Sequence, residues 1–222
     1  MSLVVVKVGG AVATTTARQI QSLATSCCKV VVVHGAGPQI SAEMKRRGLP
    51  VEFVGGRRVT TPAALGVVRE SFAAVNAALC AAIGPRAAPL VGDEIGLVAR
   101  HVPELGLVGD PLPCRPPAID AALAKGLVPV VAPLATGPLN VNADEAASAL
   151  AIGLEADRIL FLTDVPGLLL ADTVVATIGA GDAETLLDAG ELEGGIVPKL
   201  RAAVAAAKLG VRAEIGETAV VA

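Results

Sequence analysis

The sequence predicts an α/β protein, a three-layer αβα sandwich around a central, mainly parallel sheet. Three observations lead there. Valine runs at 4–6 and 30–33 are apolar at every position, the mark of strands buried on both faces beneath helices. Segments of that kind alternate with segments whose apolar residues recur every three or four positions, as in amphipathic helices. Glycine turns follow the first two strands, so each unit reads strand, turn, helix.

Taken in order, a strand over 3–8 leads to a helix from about 14 to 25, where Ile20, Leu23 and Ala24 share a face. A strand over 29–33 leads to a helix over 38–47, and 51–54 with 57–60 around Gly55-Gly56 form a hairpin. Thr61 caps and Pro62 starts a long helix, whose Leu65, Val68, Phe72, Val75 and Leu79 make an apolar stripe for the core or for a subunit contact. Short Val and Leu pairs broken by Gly and charge over 88–108 suggest a β-hairpin or meander, such as an antiparallel edge. The α/β pattern then resumes with a helix over 117–125, a strand over 127–132 and a helix over 143–154. Asn142 and Glu145 have capping-box spacing at the start of that last helix. A strand over 158–163, a turn at 164–167, a short strand over 174–178, helices over 183–189 and 198–209 and two final strands complete the chain.

Composition excludes several classes. The 222 residues are 53% hydrophobic, enough for a large core in one α/β domain or two joined lobes. Net charge is −3 with scattered basic residues, and the only aromatics are three Phe, so neither a phosphate-tracking face nor a base-stacking surface is present. Apolar runs are short and broken, none approaching about 18 residues, and the chain begins directly with a strand; cytoplasmic location is the expectation. Cys27, Cys28, Cys80 and Cys114 lack metal or redox spacing and read as small hydrophobes, while two His are too few for a histidine metal site. There is no GxSxG elbow, no GxxxxGK[ST] loop and no complete GxGxxG.

The two glycine turns nevertheless suit an anion. Backbone N–H groups at a strand end, backed by a helix N-terminus, hold phosphate or carboxylate without a dedicated side chain, and Lys7 beside the first turn adds positive charge. A lysine among valines is costly to bury unless paired, which favours a functional Lys7 over a structural one. Lys199 in an Ala-rich helix reads by itself as a surface residue, and Asp144 by itself as a helix first-turn carboxylate.

Their order changes the reading. Lys7-Val-Gly-Gly10, His34-Gly-Ala-Gly-Pro38, Gly56-Arg-Arg-Val-Thr60, Leu139-Asn-Val-Asn-Ala-Asp144, Thr163-Asp-Val-Pro-Gly167 and Gly194-Gly-Ile-Val-Pro-Lys199 together resemble the amino acid kinase family, over residues 3 to about 210. Leu139–Asp144 with Leu105-Gly-Leu-Val-Gly109 points to its acetylglutamate branch rather than to uridylate or aspartate kinases. The resemblance implies the amino acid kinase, carbamate kinase-like, fold. It implies a lobe over 1–155 for acceptor binding and dimerisation and a shortened nucleotide lobe over 156–222. The implied reaction transfers the γ-phosphoryl group of MgATP to the side-chain carboxylate of N-acetyl-L-glutamate, a step of arginine biosynthesis. A carboxylate is already ionised at neutral pH, so positioning and charge neutralisation suffice.

By that resemblance Lys7 contacts the transferring group from the acceptor side, Lys199 contacts it from the nucleotide side, and Asp144 holds both ammonium groups. Gly9, Gly10, Ala36 and Gly37 offer N–H groups to phosphate and to developing charge, Gly9 on the nucleotide side and the other three toward the acceptor. Arg58 grips the α-carboxylate of the acceptor and Asn140 its acetylated nitrogen. Arg57, sent to the other face by strand alternation, meets solvent; His34 is structural; Asn142 caps the helix and fixes Asp144. Thr163, Asp164, Val165, Gly167 and Gly195 border the nucleotide, and magnesium is held mainly by its phosphates and water. A homodimer through the long helix is implied, with no nucleic-acid or membrane partner.

The chain departs from the family pattern in places. Ala36 stands where glycine is frequent and hinders acceptor fit if the position needs positive φ. The segments after Gly167 and Gly210 are short, and no N-terminal extension precedes the first strand, so arginine feedback is not expected. Two other readings stay open: a kinase for aminoadipate or glutamate on an acidic carrier protein, which needs a basic rim, and a non-catalytic ATP or amino-acid sensor, which has no need of both lysines.

Overall fold

The computed structural model describes residues 2–10, 16–26, 28–163 and 165–222; the expected start of the first helix near 14, Cys27 and Asp164 lie outside them. The chain opens with β1 (Leu3–Val8), α1 (Ala17–Thr25), β2 (Lys29–His34) and α2 (Gly37–Arg46). The hairpin β3 (Phe53–Val54) and β4 (Arg57–Arg58) leads into α3 (Pro62–Ile83). Then come β5 (Ala87–Val91), α4 (Gly92–Ile95), β6 (Ala99–His101), β7 (Val108–Pro111), α5 (Pro117–Ala124), β8 (Val128–Ala132), β9 (Leu134–Ala135) and β10 (Leu139–Val141). The last third holds α6 (Ala143–Gly153), β11 (Arg158–Leu162), β12 (Leu169–Leu170), β13 (Thr173–Val174), β14 (Thr177–Gly179), α7 (Ala180–Ala189), α8 (Ile196–Lys208), β15 (Arg212–Ile215) and β16 (Thr218–Val221).

The large sheet runs in the order β14-β16-β15-β11-β1-β2-β8-β5. Its pairings are parallel except β15 with β16. Alternation along β1 explains the layering: Val4, Val6 and Val8 pack with Ile20, Met44 and Leu79 of α1, α2 and α3. Val5 packs on the other face with Ile119, Leu150, Ala183 and Leu200 of α5, α6, α7 and α8. Helices thus cover both faces, which is why the central strands β2 and β8 are buried almost throughout, whereas β15 nearer the edge alternates as Arg-Ala-Glu-Ile. The expected three layers and parallel sheet are present.

The 22 residues of α3 are apolar enough to cross a bilayer by length and composition. Its Leu65, Val68, Phe72, Val75 and Leu79 instead lie buried in the core, and Arg69 and Glu70 form ion pairs with Asp93 and Arg47. Thr61 Oγ1 accepts the Ala64 N–H at 3.2 Å, the expected cap.

Residues 88–108 depart from the expected hairpin or meander. β5 is a parallel edge strand of the large sheet, and β6 belongs to a separate sheet ordered β6-β7-β10-β9. Gly92 makes the break, because a Cβ there would lie 2.1 Å from the Leu134 carbonyl oxygen. Only β6 with β7 forms the antiparallel pair foreseen. The segment 174–178 divides likewise: β13 pairs with β12, while β14 joins the large sheet beside β16. β9, β10 and β12 were not expected, since two or three residues are too few to display a period.

Candidate active site

The site lies at the carboxyl ends of β1, β2 and β11, where ligands of open parallel sheets bind. Lys7 belongs to the face of β1 that meets α6, and its side chain is only 6% exposed. Asp144, in the first turn of α6, answers it with Oδ1 2.8 Å from the Lys7 ammonium. Lys199, in the first turn of α8, approaches the other carboxylate oxygen at 3.7 Å. One buried carboxylate therefore joins two ammonium groups from opposite ends of the chain. Burial pushes the Lys7 pKa below its ordinary value and the neighbouring Lys199 charge adds to this, while Asp144 opposes both.

Asn142 fixes the carboxylate, its Oδ1 accepting the N–H groups of Asp144 at 2.8 Å and Glu145 at 3.3 Å. The capping box goes no further: the Glu145 carboxylate turns to Arg57 instead. Glu145 has its carboxyl pushed up by burial, against the pull of Arg57.

The glycine turns pack on each other. Gly35 N–H donates to the Val8 carbonyl at 2.8 Å, and Gln39 Nε2 donates to the Gly10 carbonyl at 3.1 Å. A Cβ at Gly10 would come within 2.7 Å of Gln39 Oε1 and 3.0 Å of Ala36 Cα, so backbone alone can stand there. Ala36 has φ −144°, which any residue adopts, and its buried methyl is part of the core. The condition for the expected hindrance, a positive φ, is not met at this position.

A cavity of about 300 Å³ is lined by Lys7, Gly9, Gly10, Ala36, Gly37, Arg58, Asn140 and Asp144, together with Phe53, Arg57 and Asn142. Arg58 is 6% exposed, and among the described residues no carboxylate pairs with it. Its guanidinium donates to Ser41 Oγ at 2.8 Å and to the Gly37 carbonyl at 3.2 Å, and lies 4.5 Å from the centre of the Phe53 ring. Burial lowers its pKa. Asn140 Nδ2 donates to Thr60 Oγ1 at 3.0 Å.

A second cavity of about 480 Å³ lies on the Lys199 side, lined by Thr163, Val165, Gly167, Gly195 and Lys199 with Leu168, Leu169, Leu192, Ile196, Glu191 and Glu193. Gly167 is needed there, since a Cβ would come within 2.5 Å of Thr218 Oγ1. Of the residues expected at the nucleotide, Gly9 stands instead in the first cavity.

Arg57 is the correction. Rather than meeting solvent it is 22% exposed, with Nε 3.0 Å from both Glu145 oxygens and an Nη 2.6 Å from Asp110 Oδ1. Alternation does separate it from Arg58, but its outer face is covered by β7 and α6, which strand pattern alone cannot reveal. Phe53, Ser41 and Thr60 were also missed; a phenylalanine exposed on a hairpin was the one available signal. His34 is structural as expected: Asn76 Nδ2 donates to its Nε2 at 3.1 Å, and burial lowers its pKa to about 4, so it is neutral near pH 7.

Residues 2–216 match the profile of the amino acid kinase family. The chain is 42% identical to an acetylglutamate kinase of Rubrobacter xylanophilus, over 97% of this chain and 88% of that one. Among solved structures, the smu.665 protein of Streptococcus mutans UA159 superposes with TM-score 0.90 at 26% identity, covering 99% and 98% of the two chains. The carbamate kinase of Giardia lamblia bound to AMP-PNP superposes with TM-score 0.76 at 16% identity over 99% and 98%, which bears on the fold alone.

Proposed function

The chain belongs to the amino acid kinase family, and we propose that it transfers the γ-phosphoryl group of MgATP to the side-chain carboxylate of N-acetyl-L-glutamate, yielding N-acetyl-L-glutamyl 5-phosphate for arginine biosynthesis. The observation that carries this reading is the Lys7–Asp144–Lys199 link, standing between one cavity on the Lys7 side and another on the Lys199 side. Two anions must meet for this reaction, and two ammonium groups held at one carboxylate neutralise their repulsion.

The acceptor belongs in the first cavity. A guanidinium this buried without an acidic partner is poorly solvated, and a ligand carboxylate relieves that cost with a bidentate pair. Arg58 takes the α-carboxylate, Asn140 the acetylated nitrogen, and the side-chain carboxylate points toward Lys7. The N–H groups of Gly10, Ala36 and Gly37 would meet the transferring group on this side, and Gly9 lines the same cavity. The nucleotide belongs in the second cavity, where Val165, Leu169 and Ile196 give an apolar wall for a base and Thr163, Gly167 and Gly195 border it.

In the reaction an acceptor carboxylate oxygen forms the new P–O bond as the bond to ADP breaks. No proton moves, so no general base is required, in keeping with a buried, neutral His34. Lys7 follows charge developing toward the acceptor and Lys199 follows it toward ADP, while Asp144 keeps both in place. Magnesium adds neutralisation of the triphosphate when bound. Its ligands would come mainly from phosphate oxygens and water, since Asp144 already pairs with both lysines. Residues 1–155 serve the acceptor, 156–222 the nucleotide, and two copies associate through the exposed face of α3.

Hydroxylamine trapping of the acyl phosphate tests the assignment, run with free N-acetylglutamate, with free N-acetyl-aminoadipate and without acceptor. Hydroxamate should form with N-acetylglutamate alone. A blank in all three arms would refute it and point to a carrier-bound acceptor or a sensor.

A further inference from the structure

Two adjacent arginines on a very short hairpin have different surroundings. β3 and β4 contain two residues each, too few for a ribbon that keeps its place unaided. The position of Arg58 must therefore be imposed from outside the hairpin. Its neighbour Arg57 supplies one anchor: Nε is shared between both oxygens of Glu145 at 3.0 Å, and an Nη reaches Asp110 Oδ1 at 2.6 Å. Arg100 holds the second Asp110 oxygen at 2.5 Å. Asn142 Nδ2, donating to the Gly56 carbonyl at 3.2 Å, ties the hairpin tip to the same turn of α6. That turn carries Asp144, so the hairpin hangs from the element that also sets Lys7 and Lys199.

We propose that Arg57 is a positioning residue for the acceptor: its fork to Glu145 and Asp110 fixes the spacing between hairpin and α6, and so places the Arg58 guanidinium and the Phe53 ring over the acceptor cavity. This rests on the acceptor assignment given above. The pair differs from an ordinary surface ion pair in being three-quarters buried on both sides, with Arg57 22% and Glu145 24% exposed. It also differs from Arg58 in that its bonded nitrogens meet protein carboxylates, although both residues line the acceptor cavity.

Steady-state kinetics of Arg57→Met, with each substrate varied in turn, tests this beside a thermal melt. KM for N-acetylglutamate should rise about tenfold or more, because a binding group is displaced rather than removed. The kcat and the KM for ATP should stay within about threefold, since Arg57 touches neither the reacting atoms nor the nucleotide cavity, while Tm falls because Glu145 loses its partner and Asp110 one of its two. Arg57→Lys should recover part of the acceptor affinity. Adding Glu145→Gln to Arg57→Met should cost little more, as both remove one link. An acceptor KM within about twofold of wild type in folded Arg57→Met, or a joint loss of kcat and of both affinities, overturns the proposal. If Arg57→Met does not fold, Glu145→Gln alone decides by the same criteria. Wild-type protein that fails to phosphorylate N-acetylglutamate would bring down the acceptor assignment itself, whereas active wild type with an indifferent Arg57 would bring down only the positioning role.

Discussion

Lys7 carries the largest share of the proposed mechanism. It is buried in a valine strand at a cost that its ion pair with Asp144 offsets, and Lys199 partly counters that relief through like charge. On the proposed reaction, the charge is retained there to meet the phosphoryl group in transit. Lys7→Met, which keeps the stem and removes the charge, should lower kcat about 10²- to 10³-fold while the KM for ATP changes little. Unaltered turnover would remove Lys7 from the mechanism. The pH dependence follows from the direction of its shift. Lys7 must be protonated, and burial holds its pKa below 10.5, so kcat/KM should fall as pH rises through a midpoint lower than that of an exposed lysine. Bound anions favour the ammonium, so the alkaline fall of kcat should come at higher pH than that of kcat/KM. Rate profiles between pH 7 and 11 check both statements, and coincident limbs would contradict the second.

The first turn of α6 is the element on which the site depends. Asn142 caps it, Asp144 links the lysines, and Glu145 anchors the hairpin, three functions from four consecutive residues. Asn142→Ala removes the cap and the tie to Gly56 together. It should cost about 1 kcal/mol of stability by the cap alone. It should also weaken both kcat and acceptor binding, since Asp144 and the hairpin are loosened at once. Urea unfolding with kinetics on the same variant tests this, and full activity at reduced stability would show that the cap serves the helix only.

For the molecule as a whole, the parallel sheet sends the ends of β1, β2 and β11 to one edge, so residues remote in sequence share one cleft. The exposed face of α3 points away from that cleft's core packing, with Ala63, Gly66, Ala73, Ala77 and Ala81 on it. Small side chains there would let a second copy approach closely, as the proposed homodimer requires. Ala77→Arg should shift the proposed homodimer to monomer in light scattering without unfolding it. An unchanged mass would place the contact elsewhere, and a monomeric wild type would dismiss it.

Strand burial, helix stripes and the Thr61 and Asn142 caps were legible because each is a local pattern that repeats or punctuates within a few residues. The motif order likewise brought Lys7, Asp144, Arg58, Asn140 and Lys199 into view before any coordinates. What tertiary structure alone decided concerns contacts between distant segments. Gly92 must be glycine because Leu134 lies against it, Ala36 is unstrained because its φ is negative, and β5 joins the large sheet because β8 is beside it. Arg57 is the clearest case. Alternation correctly turned it away from Arg58, yet whether water or two carboxylates wait on that side depends on Asp110 and Glu145, 53 and 88 residues away. A sequence states which way a side chain points along its own strand; what it meets there is set by packing, because burial and charge pairing are properties of neighbours in space.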